Sequence, residues 1–336
     1  MAPGHLTMSK EKMKFAAYWA SSCGGCDVAL LGLHESILDL LDHADIVFWP
    51  AATDFKYDDL RGYQDDEIDI TFFNGGIRTD ENEEVAHLLR EKSKTLVAYG
   101  SCAAQGGIPG LANLSSREQL LETVYTDNPT TDNPDNVIPE EVSSRNEREL
   151  RLPGLQERVR DLGQVVEVDL VVPGCPPPPD LTGDFLQALL DGGLPEGGSV
   201  FAGQKTVCDE CNREWKGESI SEIHRPHEVD IDPDACLLDQ GIICMGPATR
   251  SGCGAGCPEV NAPCKGCFGP PAKVDDQGTE MLNSLASILQ VGEEGKGMEE
   301  EMNILTDLPD PIGSFYAYSL PTSIFGGGVE DGGKDE

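Results

Sequence analysis

The sequence predicts an α/β chain in two parts: a doubly wound parallel sheet, then a smaller, loop-rich domain organised around cysteines. Three observations predict it. Short apolar runs alternate with amphipathic helical stretches through the first part. Several of those runs close on a glycine-containing turn. The 12 cysteines are unevenly spread, four before residue 176 and eight between 208 and 267. A length of 336 residues fits about two domains, expected at 1–195 and 196–325, with an acidic tail, 326–336, expected to be disordered.

Lys14 to Trp19 (KFAAYW) reads as a buried strand running into Ser21-Ser22-Cys23-Gly24-Gly25-Cys26. From Asp27, expected near the cap, Leu30, Leu33, Ile37, Leu38 and Leu41 recur at helical spacing and predict one helix. Asp45 to Pro50 and Ile68 to Phe73 follow as strands, the second closing on Asn74-Gly75-Gly76 before a helix from about Asp80. Thr95 to Tyr99 is a further strand, closed by Gly100-Ser101-Cys102. Val165 to Val172 is the last, closed by Pro173-Gly174-Cys175. Between Thr126 and Leu150 the chain turns polar and Pro-rich, a surface insertion with no readable chemistry.

Cys23, Cys102 and Cys175 thus each sit just past the C-terminal end of a predicted strand. Open α/β sheets bind ligands at that edge, so three distant segments are expected to converge there. With Cys26 they supply four thiolates, the set that holds a cubane iron–sulfur cluster, and the neighbouring glycines let backbone come close. Four unrelated buried cysteines would be small hydrophobes only, a reading that this convergence disfavours.

Composition removes other classes. With 24 basic against 60 acidic residues, the formal net charge is −36, which leaves no basic face for nucleic acid. Hydrophobic residues at 39% supply a real core, yet no apolar run approaches the ~20 residues needed to span a bilayer. The first 22 residues carry no twin arginine and no leucine-rich hydrophobic stretch, so a cytoplasmic location is expected. Disulfides rarely persist there, so clustered cysteines mean metal or redox chemistry.

In the second part Cys208-x2-Cys211 is followed by Cys236, Cys244, Cys253, Cys257, Cys264 and Cys267, with glycine and proline between them. Eight cysteines make two sites of four. A zinc ribbon is the competing reading, and it uses four ligands rather than eight. His224 and His227 lie in a polar stretch and are not taken as ligands. Gly252-Cys253-Gly254-Ala255-Gly256 neither follows a strand nor opens a long helix, so it is not a dinucleotide loop. No P-loop, nucleophile elbow or catalytic carboxylate pair is evident, so the chain reads as a conductor rather than a site of bond-making.

These residues resemble the small subunit of [NiFe] hydrogenases. Trp19-x3-Cys23-x2-Cys26, Gly100-Ser101-Cys102-Ala103-Ala104-Gln105-Gly106-Gly107-Ile108-Pro109 and Pro173-Gly174-Cys175-Pro176-Pro177 are similar to that family's proximal-cluster segments. The resemblance implies a flavodoxin-like first domain with a proximal [4Fe-4S] cluster on Cys23, Cys26, Cys102 and Cys175. It also implies a separate large subunit holding the nickel–iron site, and no nickel, flavin or NAD in this chain. Cys208 stands where the periplasmic pattern has a histidine, and Cys257 where it has a proline. Both departures resemble the cytoplasmic methyl-viologen-reducing and deazaflavin-reducing hydrogenases, and within that group the chain most resembles the methyl-viologen-reducing, deazaflavin-non-reducing type. Spacing alone does not divide the eight. The resemblance assigns Cys208, Cys211, Cys236 and Cys244 to a distal [4Fe-4S] cluster, and Cys253, Cys257, Cys264 and Cys267 to a medial one. It further implies an iron–sulfur linker subunit and heterodisulfide reductase as partners. Alternatives are a deazaflavin-reducing sibling, a quinone-reducing complex's small subunit and a zinc-stapled interaction protein. Glu280 to Gln290 reads as a helix with an apolar face, either core or interface; Glu293 to Glu301 reads as exposed acidic chain.

Overall fold

The first strand, β1 (Met13–Trp19), forms where alternate residues can bury on both faces: Phe15 and Ala17 enter one core, Ala16 and Tyr18 the other. The computed structural model describes residues 12–146, 148–195, 197–217, 220, 222–289, 308 and 310–326. The expectations for the run from Glu293 to Glu301, for Gln290 and for the tail beyond Gly326 lie outside the described residues.

In chain order the strands are β1, β2 (Ala44–Phe48), β3 (Ile68–Asn74), β4 (Ile77–Thr79), β5 (Ser93–Tyr99), β6 (Val142–Arg145), β7 (Arg148–Arg151), β8 (Leu155–Arg160), β9 (Leu170–Val172) and β10 (Ser199–Val200). Six of them make one parallel sheet in the order β10-β9-β5-β3-β1-β2. Setting the small strands aside, the first five read 2-1-3-4-5, the flavodoxin-like doubly wound order. One face is covered by α1 (Gly25–Leu31), α2 (Ser36–His43) and α7 (Pro179–Leu190), which bury Leu30, Leu40 and Phe185. The other is covered by α3 (Tyr57–Arg61) and α4 (Asp80–Lys92), which bury Leu60, Val85 and Leu89. The predicted fold class is therefore the observed one.

Two local expectations are corrected. The single helix expected from Asp27 is two helices. Gly32 closes α1, and His34 takes a left-handed φ of 53° before α2 restarts. The restart changes which residues face inward, so Leu40 is buried while Leu38 and Leu41 are exposed. Asp27 does lie near the cap, in the first turn of α1; the cap itself is Gly24, at a φ of 79°. The last strand is shorter than Val165 to Val172, because a 3₁₀ turn, Leu162–Gln164, occupies the approach. There the Asp169 carboxylate accepts the Leu96 N–H at 2.7 Å, so ladder pairing starts only at Leu170.

α6 (Arg117–Tyr125), which buries no residue, leads into the insertion, which carries the exposed antiparallel hairpin β6–β7. Beyond β10 the chain is mostly turns around a third core of Val207, Leu237, Ile242, Met245 and Tyr316. Into it the helix Gln277–Ile288 inserts Met281 and Leu285, so that helix's apolar face is core. The segment 310–326 then returns to the sheet domain: Gly107 N–H donates to the Tyr318 carbonyl at 3.0 Å and Gln164 Nε2 to the Pro321 carbonyl at 2.9 Å. Among the described residues no helix is long and apolar enough to cross a membrane.

Candidate metal centres

The C-terminal edge of the sheet gathers the first four cysteines. Cys23 follows β1, Cys26 lies in the first turn of α1, and Cys175 follows β9. Cys102 lies in the first turn of α5 (Ser101–Gln105), which follows β5. Backbone bonds lock the turns together: Gly100 N–H to the Val172 carbonyl and Ser101 N–H to the Gly174 carbonyl, both 2.8 Å. Burial, and then the nearness of Cys102 and Cys175, push the Cys26 thiol well above its ordinary value. Burial, with Cys175 and Cys23 beside it, pushes Cys102 up to about 12.

The other eight form a continuous chain of neighbours. Burial, and then Cys236 and Cys211, push Cys208 up to about 12. Burial raises Cys244 to about 11, with Cys208 and Cys236 among its neighbours. Burial raises Cys264 and Cys267 each to about 12; Cys253 is near both, and Cys257 is near Cys253. Two contacts join the sets. The Cys175 backbone N–H donates to the Cys267 sulfur, and the Cys264 N–H donates to the Cys244 sulfur at 3.2 Å. Cys208, Cys211 and Cys236 line a cavity of 410 Å³ with Arg213, Trp215 and Ile288.

The donor chemistry and the room around it fit iron–sulfur groups. A Cβ on Gly100 would lie 2.4 Å from the Cys26 sulfur, and one on Gly107 would lie 2.6 Å from that of Cys102. One on Gly246 would lie 3.0 Å from Cys208 and 3.6 Å from Cys244. Glycine therefore keeps side-chain bulk out of the space around the sulfurs. Backbone N–H groups of Leu238, Gly246, Ala255 and Gly266 point at Cys236, Cys244, Cys253 and Cys264. Such hydrogen bonds tune a bound cluster. Among the described residues no three His, Cys, Asp or Glu side chains form a site for a single metal ion.

Several supporting residues escape sequence reading because their partners are remote along the chain. The buried Asp27 carboxylate accepts Trp49 Nε1 at 2.7 Å and Asn74 Nδ2 at 2.8 Å, clamping α1 to the ends of β2 and β3. The Tyr318 hydroxyl bonds to the Cys175 thiol and faces Cys267 and Cys257. Ser101 Oγ donates to the Cys267 carbonyl, tying the two halves. His224 pairs only loosely with Glu222, at 3.8 Å, and Gly252 and Gly254 turn their N–H groups to Glu210 rather than to a nucleotide-like cradle.

Comparison with known proteins adds a lineage. Residues 23–189 match the family described as NADH ubiquinone oxidoreductase, 20 Kd subunit. The iron–sulfur subunit of the F420-non-reducing hydrogenase of Archaeoglobus profundus is 42% identical over 315 residues, 92% of this chain and 96% of that one. The corresponding F420-non-reducing hydrogenase subunit of Methanothermobacter thermautotrophicus is 41% identical over 327 residues, 96% of this chain and 99% of that one. The structure of recombinant [NiFeSe] hydrogenase from Desulfovibrio vulgaris Hildenborough superposes with a TM-score of 0.50 at 18% identity, over 79% of this chain and 95% of that one, a likeness of fold.

Proposed function

Because the chain belongs to the family of F420-non-reducing hydrogenase small subunits, we propose that it relays electrons between a large subunit's nickel–iron site and a cytoplasmic acceptor. It is a hydrogenase subunit, hence part of an oxidoreductase, and a large-subunit partner is implied. The acceptor in this reading is heterodisulfide reductase, reached through an iron–sulfur linker subunit. The domain division at 195/196 belongs to the same reading, with β10 reaching back to the sheet.

Cys23, Cys26, Cys102 and Cys175 would hold the proximal cluster, Cys253, Cys257, Cys264 and Cys267 the medial, and Cys208, Cys211, Cys236 and Cys244 the distal. Bound there, three [4Fe-4S] clusters would supply one-electron relay sites. One observation carries the order: the N–H of Cys175 on the Cys267 sulfur and the N–H of Cys264 on the Cys244 sulfur string the sets in a row. The residues do three things. Thiols provide the ligands, glycines keep the space open, and apolar core residues cover the buried sulfurs of Cys26, Cys244 and Cys264 against water. The row ends at the apolar cavity beside Trp215, where an acceptor can approach. A quinone-reducing small subunit would share the first half only, whereas the two F420-non-reducing hydrogenase relatives match 92% and 96% of this chain.

Iron and acid-labile sulfide analysis of anaerobically purified protein tests the reading. About twelve of each per chain are expected from three four-iron clusters. Zinc in their place, or fewer than about eight irons at full occupancy, would sink it.

A further inference from the structure

Glu210 sits between Cys208 and Cys211 in sequence, yet its side chain serves the neighbouring loop. Its Oε1 accepts the Gly252 N–H at 2.8 Å and its Oε2 the Gly254 N–H at 3.0 Å. Those glycines flank Cys253 at left-handed φ values of 120° and 64°, a shape that aims both N–H groups at one carboxylate. The Glu210 backbone is itself fixed, its N–H donating to the Val207 carbonyl at 3.0 Å. The next residues extend the seam: Asn212 Nδ2 donates to Glu259 Oε1 and Arg213 Nε to the Pro258 carbonyl, both at 2.9 Å.

We propose that Glu210 is a positioning residue that ties the Cys208–Cys211 loop to the Cys253–Cys257 loop and holds the site at Cys253 at low reduction potential. The inference rests on the division of the eight cysteines given above. Two physical steps carry it. The two backbone N–H donors fix the Glu210 carboxylate in place against the Cys253 loop. That fixed negative charge lies beside Cys253, where an electron arriving at a cluster adds negative charge, so reduction is disfavoured. The same bonds occupy two N–H groups that could otherwise turn toward sulfur and raise the potential. Sequence gives no hint of this, because an acidic residue in a chain of net charge −36 reads as surface.

The test is an electron-paramagnetic-resonance redox titration of the purified, cluster-loaded complex carrying Glu210→Gln. Glutamine keeps the length and one acceptor, and the Asn212 and Arg213 contacts hold the seam, so the loops stay assembled. The step belonging to the Cys253 site is identified beforehand by its change in a Cys253→Ser variant. With full iron content, its reduced fraction at a fixed low poise should rise at least about threefold, while the step of the Cys23 site stays in place. Unchanged titration at full iron content overturns the role of the charge. Glu210→Ala should in addition lose iron from the second domain; full retention there overturns the tie. A wild-type complex with fewer than three clusters defeats the relay reading itself, a result distinct from either.

Discussion

Asp161 is buried to 5% exposure, and its Oδ2 has no hydrogen-bond partner among the described residues, while Oδ1 caps the turn Leu162–Gln164 by accepting the Gln164 N–H at 3.1 Å. Burial, opposed only by backbone N–H groups, pushes the carboxyl up to about 6 from an ordinary 3.8. The folded chain therefore holds this proton more tightly than the unfolded chain does. Stability from Asp161 is fullest below about pH 4 and is lost as pH rises through about 6. Asp161→Asn keeps a capping oxygen and removes the ionisation. Relative to wild type, its unfolding free energy from urea titration should gain roughly 1–2 kcal/mol between about pH 5 and pH 7.5. A constant difference across that range would count against the assignment. No sequence pattern marked Asp161, just as none marked Tyr318 or the Asp27 clamp. The twelve cysteines were legible because their type and spacing carry the chemistry; their supports are legible only once remote segments meet.

At the scale of elements, β1, β3 and β5 were readable because each is an apolar run flanked by turns, and the sheet buries both faces. The break between α1 and α2 was not, since Leu33 and Ile37 keep helical spacing across the left-handed His34. What matters for the site is how the strands hand over to the short helices. Gly100 links β5 to α5 at a φ of 90°, and a Cβ there would meet the Cys26 sulfur at 2.4 Å. Gly100→Ala should cost about 1–2 kcal/mol in backbone strain and displace Cys26 besides. If the chain holds the proposed three clusters, this variant should lose about four of the roughly twelve irons they would contain, with the second-domain signals intact. Gly183→Ala, in α7 with nothing within 4 Å of the added methyl, should instead stabilise by about 0.5–1 kcal/mol and keep all its iron. Equal iron content in the two variants would show that Gly100 does not shape the first site.

For the whole molecule, the property under test is the evenness of the relay. All twelve cysteines are present, and in the proposed division Cys257 would supply the fourth thiol of the medial set, where the periplasmic hydrogenase pattern has proline. With four thiolates at every site, three cubanes of similar type should work at low potential throughout, which suits a low-potential acceptor. Cys257 is the second residue of a short helix, Gly256–Glu259, within the first turn, where backbone N–H groups have no intrahelical partner for proline to remove. Cys257→Pro is therefore expected to fold, to leave the medial site one thiolate short and to convert it to a three-iron cluster of higher potential. An electron then falls more readily into the middle of the row and leaves it less readily. Hydrogen-dependent reduction of a high-potential dye should survive, whereas transfer to a low-potential acceptor slows at least tenfold, which a rise of about 59 mV would account for in a one-electron step. Paramagnetic resonance of the oxidised variant should show a three-iron signal that the parent lacks. A stoichiometric three-iron signal in the parent would mean that Cys257 is not a ligand, and the division of the eight cysteines would have to be redrawn.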